Sequence, residues 1–103
     1  MKDSIFYCSW GYNMTIIEFY KVIKETEKTV LLQEIMQDCD QTGYLSGTCK
    51  PDYELKPTDK KPFRAYKRQG KNDRAMYLKA SDRGMMKWYW VWDGNPKHYN
   101  HCD

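Results

Sequence analysis

Short runs of aromatic and β-branched residues, each closed by turn formers, constrain this chain more than any other feature. They fall at Ser4–Trp10, Met14–Lys24, Thr29–Ile35, Phe63–Arg68, Ala75–Ala80 and Met85–Trp92. Between them stand Gly11-Tyr12-Asn13, Glu25-Thr26-Glu27-Lys28, Gln69-Gly70-Lys71-Asn72-Asp73, Ser81-Asp82-Arg83-Gly84 and Asp93-Gly94-Asn95-Pro96. Runs this short cannot bury themselves alone and must pair edge to edge. Five or six of them at regular spacing predict a mainly β fold, a small antiparallel β-barrel or β-roll. At 103 residues one domain over 1–103 is expected, and a paired Rossmann unit, a TIM barrel or a kinase is too long to fit.

Met14–Lys24 reads two ways. Ile16, Phe19, Tyr20 and Ile23 form a helical stripe, but the segment is almost entirely β-branched or aromatic. Thr29–Ile35 is a second such run, and four polar residues join the two. A long antiparallel hairpin is the expectation. Residues 37–61 are turn-rich, and Pro51 and Pro57 exclude a regular helix there. This stretch is expected to be a long irregular connection with one short strand near Tyr44–Lys50.

Aromatics make up 16% of the chain, far above what a disordered chain carries. Trp88, Trp90 and Trp92 alternate, with Met86 in line, so a strand would place them on one face. Burial in the barrel is the expectation for Trp10, Trp88 and Trp90, because a small domain needs its largest rings inside. The competing role is a platform on which bases stack.

Charge is segregated. Residues 1–56 hold six Lys against nine Asp or Glu; residues 57–103 hold eleven Lys or Arg against five Asp. The cations concentrate at Lys60, Lys61, Arg64, Lys67, Arg68, Lys71 and Arg74. Such a ribbon attracts phosphate backbones or an acidic protein surface. Alternation groups Arg64, Tyr66 and Arg68 on one face. Lys60, Lys61, Arg64, Tyr66, Lys67, Arg68, Lys71 and Arg74 are therefore the candidate residues for binding a partner or nucleic acid.

Chemistry beyond binding has little support. There is no G-x-S-x-G elbow, and the Gly43-x-x-x-Gly47 spacing is followed by Thr48 without a P-loop lysine. Glu25, Glu27, Glu34, Asp38 and Asp40 read as a solvated hairpin surface. No metal or cofactor is expected, and His98 and His101 read as surface groups despite Cys102 beside them. Cys8, Cys39, Cys49 and Cys102 lack a C-x-x-C pair. No signal-peptide core or membrane span is visible, so a cytoplasmic protein with reduced thiols is expected, as monomer or homodimer.

Three stretches carry a family resemblance: Ser9-Trp10-Gly11-Tyr12-Asn13-Met14-Thr15, Glu18-Phe19-Tyr20-Lys21-Val22-Ile23-Lys24-Glu25-Thr26-x-Lys28-Thr29-Val30, and Trp92-Asp93-Gly94-Asn95-Pro96-Lys97-His98-Tyr99. They resemble small proteins of phages, prophages and other bacterial mobile elements. That family opens on aromatic-Gly-Tyr-Asp-Gln-Thr, continues through D-F-Y-x-V-V-K-x-T-x-K-x-V and closes on W-D-G-K-P. Here Asn13-Met14 replaces Asp-Gln, and Asn95 replaces Lys. The resemblance implies a mobile-element accessory protein, similar to type II anti-CRISPR inhibitors. A non-enzymatic inhibitor is then the leading expectation, with a host defence nuclease or its guide RNA as partner. A phage module that binds single-stranded DNA or RNA is the second, and a small metal-dependent nuclease the third.

Overall fold

In a computed structural model the structure describes residues 4–10, 16–43, 46–68, 77–82, 85–92 and 94–100, and the regular elements among them are all strands. The strands are β1 (Ile5–Trp10), β2 (Ile16–Glu25), β3 (Thr29–Ile35), β4 (Gln37–Gly43), β5 (Ser46–Pro51), β6 (Phe63–Arg68), β7 (Tyr77–Asp82), β8 (Met85–Val91) and β9 (Lys97–Asn100). Six of them close an antiparallel barrel in the order β1-β2-β3-β6-β7-β8. Phe6 opposite Val91 and Tyr7 opposite Trp90 seal it.

The β2–β3 hairpin forms as its composition predicts. Its turn is tied by Thr26 and Thr29, whose backbone groups bond (Thr26 N to Thr29 O, 2.8 Å) and whose hydroxyls meet at 2.6 Å. Alternation sends Tyr20, Val22, Val30 and Leu32 inward and Ile17, Phe19 and Ile35 outward. The register shifts at a bulge between Val22 and Lys24, and Ile23, outward by the same alternation, is exposed there.

The connection at 37–61 is more ordered than expected. It holds β4 and β5, a complete hairpin, and β9 adds a third strand to make a second sheet in the order β4-β5-β9. The excursion is pinned where it leaves and returns: Met36 N donates to Lys56 O (2.8 Å), Asp52 N to Met36 O (2.9 Å) and Thr58 N to Glu34 O (3.0 Å). Polar residues such as Gln37, Asp38, Asp40 and Thr48 hid these strands, because their outer side needs no apolar alternation. Reduced thiols are also corrected: Cys39 and Cys49 face each other across β4 and β5 and are joined by a disulfide. Cys8 is a thiol buried in the barrel. Cys102 lies outside the described residues.

Two apolar clusters result. Inside the barrel, Tyr20, Phe63 and Tyr89 stack edge to face or tilted around Phe6, Leu32 and Leu78. Ala65 and Ala80 keep the bore wide enough for these rings. Outside the barrel wall, Ile17, Phe19, Ile35 and Cys49 pack with Ile5, Tyr7, Leu55 and Trp92 beneath the second sheet. Among the described residues no helix is long and apolar enough to cross a membrane.

A candidate nucleic-acid interface on the barrel wall

The interior of β8 is Lys87 and Tyr89, which are 7% and 1% exposed. Its outer face is Met86, Trp88 and Trp90, at 44%, 47% and 44% exposure. This corrects the expectation that Trp88 and Trp90 fill the core. Tyr89 fills the bore against Tyr20 and Phe63, so period two turns Trp88 and Trp90 outward. Trp92 also departs from that stripe: β8 ends at Val91, and Trp92 packs into the second core against Phe19. The side chain of Trp10 lies outside the described residues.

The outer faces of β6, β7 and β8 form one continuous surface, assembled by register. Tyr66, Lys79 and Trp88 stand opposite one another in one cross-strand row. Arg68 and Tyr77 pair in the next, where Tyr77 meets Trp90 with ring centroids 5.2 Å apart. Trp90 in turn pairs with Tyr7 of β1. Arg64 continues β6, exposed beside Leu31 of β3. The cations lie against the rings: Arg68 Cζ is 5.7 Å from the Tyr66 centroid and Lys79 Nζ is 5.8 Å from that of Trp88. Cations so placed are held on the face by the ring quadrupoles while their donors still reach solvent. Tyr66, at 47% exposure, offers a further ring.

The predicted site residues divide. Arg64, Tyr66 and Arg68 come together as alternation requires. Lys67 does not join them: its side chain turns to the barrel end, where the ammonium pairs with Glu25 and donates to Thr26 O at 2.8 Å. Its hydrogen bond holds the Glu25 carboxyl below the usual carboxylate range. Lys60 sits near the mouth, 3.6 Å from Glu34 and 3.8 Å from Glu18. Lys61 is exposed in the segment before β6. Lys71 and Arg74 lie outside the described residues. Tyr77, which the single-strand reading offers as a stacking ring beside Tyr66, does lie on this face; sequence reasoning missed Lys79, whose alternation with Leu78 and Ala80 was the available signal.

Glu34 is likewise not the solvated surface group expected of it. Its side chain is 12% exposed and accepts from Thr58 Oγ1 at 3.0 Å. Burial, then the hydrogen bond shared with Glu18, pushes its carboxyl above the usual range. Lys87 approaches Glu18 from the barrel interior at 3.9 Å. Burial, reinforced by Glu18, also raises the neighbouring Tyr20 phenol. Two carboxyls at the mouth thus face ammonium groups from both sides, which explains a lysine inside the barrel. Among the described residues no group of three or more His, Cys, Asp or Glu is placed to hold a metal ion.

Comparison with protein-family models, with curated proteins and with solved structures finds no match to this chain.

Proposed function

We propose that the outer face of β6, β7 and β8 binds single-stranded nucleic acid. The observation that carries this reading is the row-by-row interleaving of outward rings and cations, exposed at Tyr66, Arg68, Trp88 and Trp90 and half-buried at Tyr77 and Lys79: Tyr66, Lys79 and Trp88 in one row, Arg68, Tyr77 and Trp90 in the next. Unpaired bases need flat apolar faces and their phosphates need donors a short step away. A duplex hides its base faces and would leave Trp88 and Trp90 with nothing to stack on. Each stacked base is worth about 1–3 kcal/mol, and each phosphate contact adds salt dependence.

The chemistry is binding. A phage or mobile-element module working in the cytoplasm of its host fits this ligand. The inhibitor reading rests on the family resemblance and predicts a protein-borne target for the same face. Titration of labelled oligothymidylate, oligouridylate and duplex DNA at increasing salt separates these ideas. Tight, salt-sensitive binding to both single strands, with weaker binding to duplex, is the expected result. No binding to any bare strand at low salt, with capture of a guide-RNA-loaded nuclease instead, would replace it with the inhibitor.

A further inference from the structure

The aromatic row does not stop at the barrel. Beyond Trp90 comes Tyr7, and Lys97 Nζ lies 4.7 Å from the centroid of the Tyr7 ring. Lys97 opens β9, whose ladder partner among the described strands is β5. Lys97 stands opposite Cys49, and Cys49 stands opposite Cys39. The disulfide therefore lies in one cross-strand line with the cation that ends the row. Cys49 is also packed in the same apolar cluster as Tyr7. Cys39 is exposed, so a thiolate in solvent has a path to the bond.

We propose that the Cys39–Cys49 disulfide sets the strength of single-strand binding, by holding β5 and β9 so that Lys97 supplies a phosphate contact at the Tyr7 end of the row. This inference rests on the single-strand reading of the face. An ammonium carries three donors, so Lys97 can lie on Tyr7, keep other neighbours and still meet a phosphate oxygen. Reduction replaces a covalent link by two thiols that need van der Waals separation. Cys49 then shifts against Tyr7, and β4 holds β5 only through the ladder and side-chain contacts. The reductant is a dithiol. Its thiolate attacks a sulfur of the bond and forms a mixed disulfide, and its second thiol releases the protein. Two electrons and two protons pass to Cys39 and Cys49, and the dithiol leaves as its own disulfide. In a cytoplasm, where such bonds are commonly transient, this links strand binding to redox state.

The test uses the full chain and labelled oligothymidylate at several salt concentrations, with the protein oxidised, then reduced by dithiothreitol. The double variant Cys39→Ser/Cys49→Ser provides a permanently open form. Alkylation and peptide mass verify the state of Cys39 and Cys49. Reduced protein and the double variant are expected to bind about threefold more weakly, the scale of one exposed cation contact. The slope of log affinity against log salt should become shallower by about 0.7. Lys97→Ala should start at the weaker affinity and ignore dithiothreitol. Equal affinity and slope in both redox states would overturn the proposal while leaving the face reading intact. A redox response that survives in Lys97→Ala overturns the route through Lys97. Loss of the sheet signal in circular dichroism on reduction overturns a local effect. Oxidised protein that binds no strand overturns the face reading, and this inference with it.

Discussion

Two stretches of the barrel's outer wall carry similar residues and meet opposite fates. On β1 and β2, Ile5, Tyr7, Ile17 and Phe19 point outward and pack beneath the second sheet, leaving Phe19 at 0% exposure. On β6, β7 and β8, Tyr66, Met86, Trp88 and Trp90 also point outward and stay nearly half exposed. The wall's own chemistry does not decide which rings become core. The excursion between β3 and β6 does, because it folds back over one side only. The rings left bare beside Arg68 and Lys79, on a chain that buries similar rings elsewhere, are the surface to which we assign the proposed binding.

The sharpest way to break this contrast is to remove one ring from each side. Phe19→Ala should cost on the order of 3–5 kcal/mol in denaturant unfolding, as a large side chain lost from a packed cluster does. Trp88→Ala and Trp90→Ala should each cost less than Phe19→Ala, since both rings are nearly half solvated. The same pair should lose about 1–3 kcal/mol of binding for each base no longer stacked. Equal loss of stability on both sides would erase the distinction.

The barrel mouth refines the comparison through pH. The raised carboxyl of Glu34 binds a proton more tightly folded than unfolded. Stability therefore falls as pH rises from the ordinary carboxylate value of 4.5 toward the raised one. Glu34→Gln should flatten that part of the Tm-against-pH curve and leave strand binding unchanged. An unaltered curve would mean the shared proton is not there. Glu25 works with the opposite sign. Its lowered carboxyl stabilises the fold above the ordinary value, and that contribution is lost as pH falls through the folded value. Glu25→Gln should therefore lower Tm slightly at neutral pH. Lys67→Met should do the same without weakening oligonucleotide binding, whereas Arg68→Met should weaken it. A binding loss in Lys67→Met equal to that in Arg68→Met would return Lys67 to the interface.

Much of the barrel was legible because period-two alternation and turn residues are local signals. The β2–β3 hairpin and the grouping of Arg64, Tyr66 and Arg68 follow directly from them. What stayed hidden depended on partners distant in sequence. The parity of β8 could not be read from its hydrophobicity, because the more apolar stripe faces out. Lys87 faces in, where its ammonium lies 3.9 Å from the Glu18 carboxylate of β2, a strand distant in sequence. Lys67 looked like part of a cationic ribbon, yet Glu25 and Thr26 of another strand end claim it. β4 and β5 carry few apolar residues, and the pairing of Cys39 with Cys49 depends on their register.

The central claim is that Trp88 and Trp90 are kept bare for unpaired bases, and the protein contains its own reference for testing it. Trp92 Nε1 donates to Asn95 O at 2.7 Å and its ring packs on Phe19, away from the proposed face. Indole N–H resonances followed by NMR during titration with oligothymidylate should shift for Trp88 and Trp90 and hold still for Trp92. Binding that leaves Trp88 and Trp90 unmoved, or that moves Trp92 instead, would contradict the account.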